Sequence, residues 1–162
     1  LHDSATGPPD DPYALAAGGG YGRTVVNALE RTVAAMARAE VRAVAPWLAC
    51  VGANTSMPRR LWERAGGYDE SFGTRWGCED LELGFRLCRV GAPMMLAGGA
   101  PGIHLSHVRT DRWEQHAVNL GRFAAKHPDP TVLALSALLG PSGSTRDYLA
   151  AVPDPSGADR RP

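Results

Sequence analysis

This sequence of 162 residues has no surplus of either charge: 17 Lys and Arg balance 17 Asp and Glu, for a formal net charge of +0. A protein that grips nucleic acid carries a basic excess to meet the phosphates, so no nucleic-acid partner is expected. Long hydrophobic runs are also missing. Nothing approaches the ~18 consecutive apolar residues of a membrane-crossing helix, and no secretory signal stands at the start. The expectation is a chain with no transmembrane segment, which is compatible with docking onto a membrane or a membrane-bound partner. Cysteine is sparse as well. Cys50, Cys78 and Cys88 are odd in number and none shows Cys-x-x-Cys spacing, which points away from a zinc ribbon and from a disulfide framework. Reduced thiols in a cytoplasm are the plain reading.

What is present is enough for one domain with a core: 44% of the residues are hydrophobic. Residues 1–22 are rich in Gly, Pro and Asp and read as a loop-rich N-terminal segment; residues 23–139 read as the domain; residues 140–162, rich in Pro, Gly and Ser, read as a mobile tail. Helical spacing of Val26, Leu29, Val33, Met36 and Ala37 predicts a helix within 23–43. The apolar run 47–51, bounded by Pro46 and Gly52, reads as a buried strand, and 94–97 as a second. Further helices are expected over about 58–65, 79–90 and 111–126, with a short one near 133–139. Pro58, Gly66 and Gly91 supply start and stop signals, and Asp111 reads as an N-cap. In the 79–90 helix Leu81, Phe85 and Cys88 form one stripe and Leu83, Leu87 and Val90 its neighbour, a wide face for a core or sheet. Glu82 and Arg86 read as an i,i+4 pair on its exposed side. Alternating strands and helices place the chain in the α/β class.

The chemistry-bearing residues cluster around Trp76-Gly77-Cys78-Glu79-Asp80-Leu81-Glu82-Leu83-Gly84-Phe85-Arg86-Leu87. Glu79 and Asp80 fall at a helix start, where the helix dipole favours negative charge. Adjacent helical residues diverge by ~100°, so the two carboxylates cannot do the same job. One can take a proton from a hydroxyl while the other holds a neighbouring hydroxyl; the plainer alternative is an acidic helix start serving the dipole alone. Downstream, His104 and His107 lie three apart in His104-Leu105-Ser106-His107. Imidazoles combine with carboxylate and phosphate oxygens around hard divalent cations such as Mn²⁺; loop histidines that satisfy backbone groups are the alternative. Asn54, in Gly52-Ala53-Asn54-Thr55-Ser56, follows the expected buried strand, where α/β folds bind ligands, and it also suits an ordinary turn. Arg59 and Arg60 can approach phosphates or simply lie on an exposed helix. Trp76 can be a lid that stacks on a sugar face or a core anchor. His116 and His127 read as structural.

The compound pattern Gly66-Gly67-Tyr68-Asp69-Glu70 followed by Trp76-Gly77-Cys78-Glu79-Asp80 and Leu81 to Leu87 resembles the C-terminal, acceptor-side catalytic segment of GT-A fold glycosyltransferases. The groups it is similar to are the bacterial family 2 enzymes, the β-1,4-galactosyltransferases, chondroitin-polymerase-like enzymes and the polypeptide N-acetylgalactosaminyltransferases. It covers about residues 47–127. The resemblance implies a partial GT-A fold, short strands packed with three to four helices. It implies transfer of a hexosyl or N-acetylhexosaminyl group from a nucleoside-diphosphate sugar, with UDP-sugar foremost, to an acceptor hydroxyl, assisted by Mn²⁺ or Mg²⁺. Carried over by position, Asp80 matches the catalytic base of the inverting galactosyltransferases and Glu79 their acceptor-binding carboxylate. Trp76 matches the mobile-loop tryptophan, with Gly77 beside it. His107 matches the metal-binding histidine and His104 its companion. Asn54 and Arg59 match substrate-binding positions in the Gly-Ala-Asn…Arg stretch. The ionisable group at 80 favours the inverting mechanism. Two departures stand out: Cys78 occupies the place of the second Gly, and no Asp-x-Asp metal motif precedes the signature. The expectation that follows is an acceptor-side half working with another chain or segment that supplies the nucleotide-binding half. A non-catalytic, acceptor-binding remnant is the main rival, and a metal-dependent hydrolase using Glu79, Asp80 and His107 is a weaker one.

Overall fold

The computed structural model describes residues 11–20, 26, 28–104 and 110–154. Seven α-helices run through them: α1 Pro12–Ala17, α2 Ala28–Ala37, α3 Arg59–Ala65, α4 Glu79–Arg89, α5 Arg112–Lys126, α6 Pro130–Leu133 and α7 Thr145–Ala151. Short 3₁₀ turns at Pro46–Ala49, Gly52–Asn54, Glu70–Phe72 and Ala134–Ala137 link them. Among the described residues no strand forms, so the expected α/β class and the partial GT-A sheet are overturned: the described part is all helical.

The run 47–51 shows why. Trp47 and Leu48 are buried, at 3% and 0% exposure, as an apolar run between breakers should be. Burial alone does not distinguish a strand from a turn of helix. Pro46 stands at the first position of the 3₁₀ turn, where its fixed φ suits a helical start and its missing N–H costs nothing. The second expected strand, 94–97, carries no regular structure; Met95 is 84% exposed. With neither segment paired as a strand, no sheet forms among the described residues.

The core is built around α4. Gly84 faces the 46–50 segment so closely that a methyl group there would lie 2.5 Å from Cys50 Cβ and 2.6 Å from the Trp47 carbonyl oxygen. That approach brings Trp47, Phe85 and Phe123 into an edge-to-face ring cluster with centroids 5.7 to 5.9 Å apart. Leu83 and Leu87 pack on the other side with Cys50 and Ala65, against Trp62 and Leu61 of α3.

Residues beyond 140, expected as a mobile tail, contribute α7, whose Tyr148 is fully buried and donates its hydroxyl to the Thr131 carbonyl at 3.1 Å. Thr32 of α2 meets Thr145 of α7, hydroxyl to hydroxyl, at 2.7 Å. Arg42 donates to the carbonyls of Leu149, Val152 and Pro153, closing the C-terminal end of α7.

Glu82 and Arg86, read as an exposed pair, are an internal staple instead. The Glu82 side chain has 0% exposure and Arg86 18%. Arg86 donates to both Glu82 oxygens and reaches back to the carbonyls of Ala65 and Gly67, fastening the end of α3 to α4. Lys126 and His127, at the end of α5, also meet Glu82 Oε1, each at 2.8 Å. Lys126 extends the staple to Asp69 at 2.5 Å.

Candidate functional site

The start of α4 is set by the chain before it. Gly77 has φ 101° and Cys78 φ 72°, so two consecutive residues lie in left-handed territory. At 77 only glycine fits, because a Cβ there would come within 2.7 Å of the His116 ring. Cys78 holds this conformation with a buried side chain, its Sγ 3.5 Å from His116 Nε2. The helix begins at the next residue and presents Glu79, Asp80 and Glu82 in its first turn.

Asp80 is half-buried and each oxygen accepts a backbone N–H: Oδ1 from Leu81 and Oδ2 from Gly52, both at 2.8 Å. One free N–H of the helix start is thereby satisfied, and the 52–54 turn is fixed to α4. Glu79 is also half-buried, and its Oε2 has no hydrogen-bond partner among the described residues. The two carboxylates thus sit in different surroundings, as the divergence of adjacent helical residues requires.

Asn54 ties the same turn on its other side, donating Nδ2 to the Ala100 carbonyl at 2.8 Å. The turn therefore bridges the Asp80 end of α4 and the segment leading to His104. Arg59 projects from α3, 90% exposed at its side chain, with Nε donating to Glu63 Oε1 at 2.8 Å. An open groove of about 420 Å³ lies between the 52–57 segment and α3, lined by Gly52, Thr55, Ser56, Arg59, Trp62 and Tyr68.

Trp76 is 38% exposed and its backbone is anchored, not loose: its N–H donates to Gln115 Oε1 at 2.8 Å. Asn119, fully buried, donates Nδ2 to the carbonyls of Arg75 and Gly77, both at 2.9 Å. The Trp76 ring lies 5.6 Å from that of His116, which Trp113 also flanks at 5.9 Å. Gln115, His116 and Asn119 are therefore the residues that hold the signature loop. The sequence offers one signal for them, their i, i+1, i+4 spacing on α5. Asp111 stands at the N-cap of α5 as expected, but its side chain makes no capping bond; its Oδ2 accepts from Gln115 Nε2 at 2.5 Å.

Burial and the acidic pair govern titration here. Burial, then the charge of Asp80, pushes the Cys50 thiol up to about 11. Burial, then Asp80 and Glu79, pushes Cys78 up to about 12. Burial lowers His116, assisted by Arg112 and opposed by Asp80. A nucleophilic cysteine needs a stabilised thiolate, and the Cys78–His116 pair has the reverse, a neutral thiol beside a neutral imidazole.

Among the described residues no three His, Cys, Asp or Glu side chains come together as metal ligands. His107 lies outside the described residues; His104 lies within them.

Over 85 residues, 51% of the chain, the sequence is 42% identical to validoxylamine A glucosyltransferase of Streptomyces hygroscopicus subsp. jinggangensis (strain 5008). The same identity over the same length relates it to validoxylamine A glucosyltransferase of Streptomyces hygroscopicus subsp. limoneus. The chain spans about a fifth of the length of these curated relatives, 20% and 18%. No protein-family model and no solved structure matches it. Half of the chain is thus similar to glycosyltransferases. No helix among the described residues is long and apolar enough to cross a membrane.

Proposed function

We propose that this chain carries the acceptor-side catalytic segment of an inverting glycosyltransferase. The donor in this reading is a nucleoside-diphosphate hexose, and glucose is favoured by the relatives' names. Asp80 takes the proton from the acceptor hydroxyl as that oxygen attacks the anomeric carbon, and the nucleoside diphosphate leaves from the opposite face. Glu79 holds a neighbouring acceptor hydroxyl, and Trp76 covers the sugar. The observation that carries the reading is the combination of 42% identity to named glucosyltransferases with two half-buried carboxylates opening α4 beside a groove. Each Asp80 oxygen that accepts a backbone N–H keeps a second lone pair, so the carboxylate can still receive a proton.

The reading includes a divalent cation, Mn²⁺ or Mg²⁺, for which His107 and His104 are the ligands proposed on this chain. It also includes a nucleotide-binding segment supplied elsewhere in the protein or by a partner chain. The rival acceptor-binding reading draws on the all-helical character of the described residues. One experiment separates the two. The full-length protein is incubated with UDP-glucose and GDP-glucose, Mn²⁺ and a panel of hydroxyl acceptors, and products are read by mass spectrometry and anomeric NMR. The account expects a glucosylated product of inverted anomeric configuration that disappears with EDTA. Acceptor binding with no product would support the binding module, and a retained configuration would remove Asp80 as base.

A further inference from the structure

Tyr68 belongs to no role described so far. Its ring is held edge-on to Trp62, centroids 5.2 Å apart at 83°, yet the residue is 46% exposed. Its hydroxyl shares a neighbourhood with Asp80: a carbon placed at the missing Cβ of Gly52 would lie 3.4 Å from Tyr68 Oη and 3.4 Å from Asp80 Cβ. Gly52 is also the residue whose N–H fixes Asp80 Oδ2. The groove lined by Tyr68 and Gly52 therefore adjoins Asp80, which stands directly behind Gly52.

The lining discriminates between ligand classes. A diphosphate needs free cationic donors. Arg59, the cation of this lining, is offset by the Glu63 carboxylate that its Nε–H meets, and Asp80 stands behind Gly52 as a further carboxylate beside the groove. A neutral ring bearing several hydroxyls meets suitable groups instead. Trp62 and Met57 offer apolar surface for its C–H face, and Thr55, Ser56 and Tyr68 offer hydroxyls. Thr55 donates its own proton to the Val51 carbonyl at 2.6 Å, so toward a ligand it acts as an acceptor. Burial and the Asp80 charge push the Tyr68 phenol up, keeping it a donor at neutral pH.

We propose that this groove is the subsite for the acceptor, a neutral polyhydroxylated ring such as a hexopyranose or a cyclitol, and that Tyr68 positions one ring hydroxyl toward Asp80. The role of the positioned hydroxyl rests on the sugar-transfer reading; the ligand class of the groove is read by binding alone. Amide and indole NMR spectra of the chain are recorded during separate titrations with D-glucose, myo-inositol and UDP. At least one neutral ring is expected to shift the Trp62 indole N–H, and Tyr68→Phe, which keeps the ring against Trp62, to weaken that binding about tenfold. Ser56→Ala is expected to weaken it by a smaller factor. UDP is expected to leave the Trp62 signal in place. A Trp62 shift with UDP alone, no shift with any of the three, or unchanged binding by Tyr68→Phe would overturn the proposal. In the transfer assay Tyr68→Phe should raise the acceptor KM about tenfold and leave the donor KM alone. Neutral-ring binding without transfer would sink the enzymatic reading and keep the groove; transfer with an unaltered acceptor KM would do the reverse.

Discussion

Glu82 shows how one side chain can matter to the fold without touching the proposed base two residues away. Its carboxylate has no exposure and is surrounded by Arg86, Lys126 and His127. Burial opposes its charge, but hydrogen bonds from these three outweigh that and hold it below its ordinary value. Asp69 is lowered too, chiefly by Lys126. A carboxylate whose folded value is depressed adds stability that is present above its unfolded value, near ~4.3 for Glu, and lost as pH falls through the folded value. Glu82→Gln should leave Arg86 and Lys126 without their buried counter-charge and destabilise the protein by about 3 kcal/mol. It should also flatten the fall in stability below about pH 5. Urea denaturation from pH 3 to 7 reads both, as a lower midpoint at neutral pH with a shallower acid limb. An unchanged acid limb would show that the staple is not the acid-sensitive element.

At the scale of elements, α5 governs the signature loop. Asn119 takes the carbonyls on both sides of Trp76, and Gln115 takes the Trp76 N–H. Asn119→Ala would strand two carbonyls beneath the loop, at a cost of about 2 kcal/mol. The Trp76, Gly77 and Cys78 amides should then exchange with deuterium faster than those of α4. Equal protection in variant and wild type would mean the loop is held by something other than α5.

How much of this was legible in the sequence differs by element. The helices expected over 79–90 and 111–126 correspond to α4 and α5, because an apolar face repeats at helical spacing in each, and the one over 58–65 to α3, because Pro58 and Gly66 mark its ends. The expected strand at 47–51 failed because a short apolar run states burial and not backbone shape, and the one at 94–97 because its apolar residues stay exposed, Met95 at 84% and Leu96 at 44%. At the site, the sequence singled out Glu79 and Asp80 through a local motif. It could not show that Gly52 and Asp80, 28 residues apart, share a hydrogen bond. Nor could it show that Tyr68 stands beside them, since such contacts follow from the packing of α3 against α4. The exposed-side reading of Glu82 and Arg86 missed because it stopped at α4 itself, whereas the face is covered by residues 65–67 and the end of α5.

For the molecule as a whole, two aromatic-lined surfaces meet at the start of α4. Trp76, Trp113 and His116 lie on the α5 side, and Tyr68 and Trp62 on the α3 side. Asp80 is fixed where the α3 side begins, by a turn that also reaches toward His104. Sugar transfer through Asp80 is the claim on which the functional account depends, and the initial rate of glucosyl transfer by Asp80→Asn against wild type tests it most directly. Asparagine can keep the Gly52 hydrogen bond through its carbonyl oxygen and gives up the one from Leu81, and its amide cannot accept the acceptor's proton. The account predicts a rate lower by about 10²–10⁴-fold, with a loss of stability of only about 1 kcal/mol for the one hydrogen bond given up. A variant that transfers glucose at the wild-type rate would contradict it.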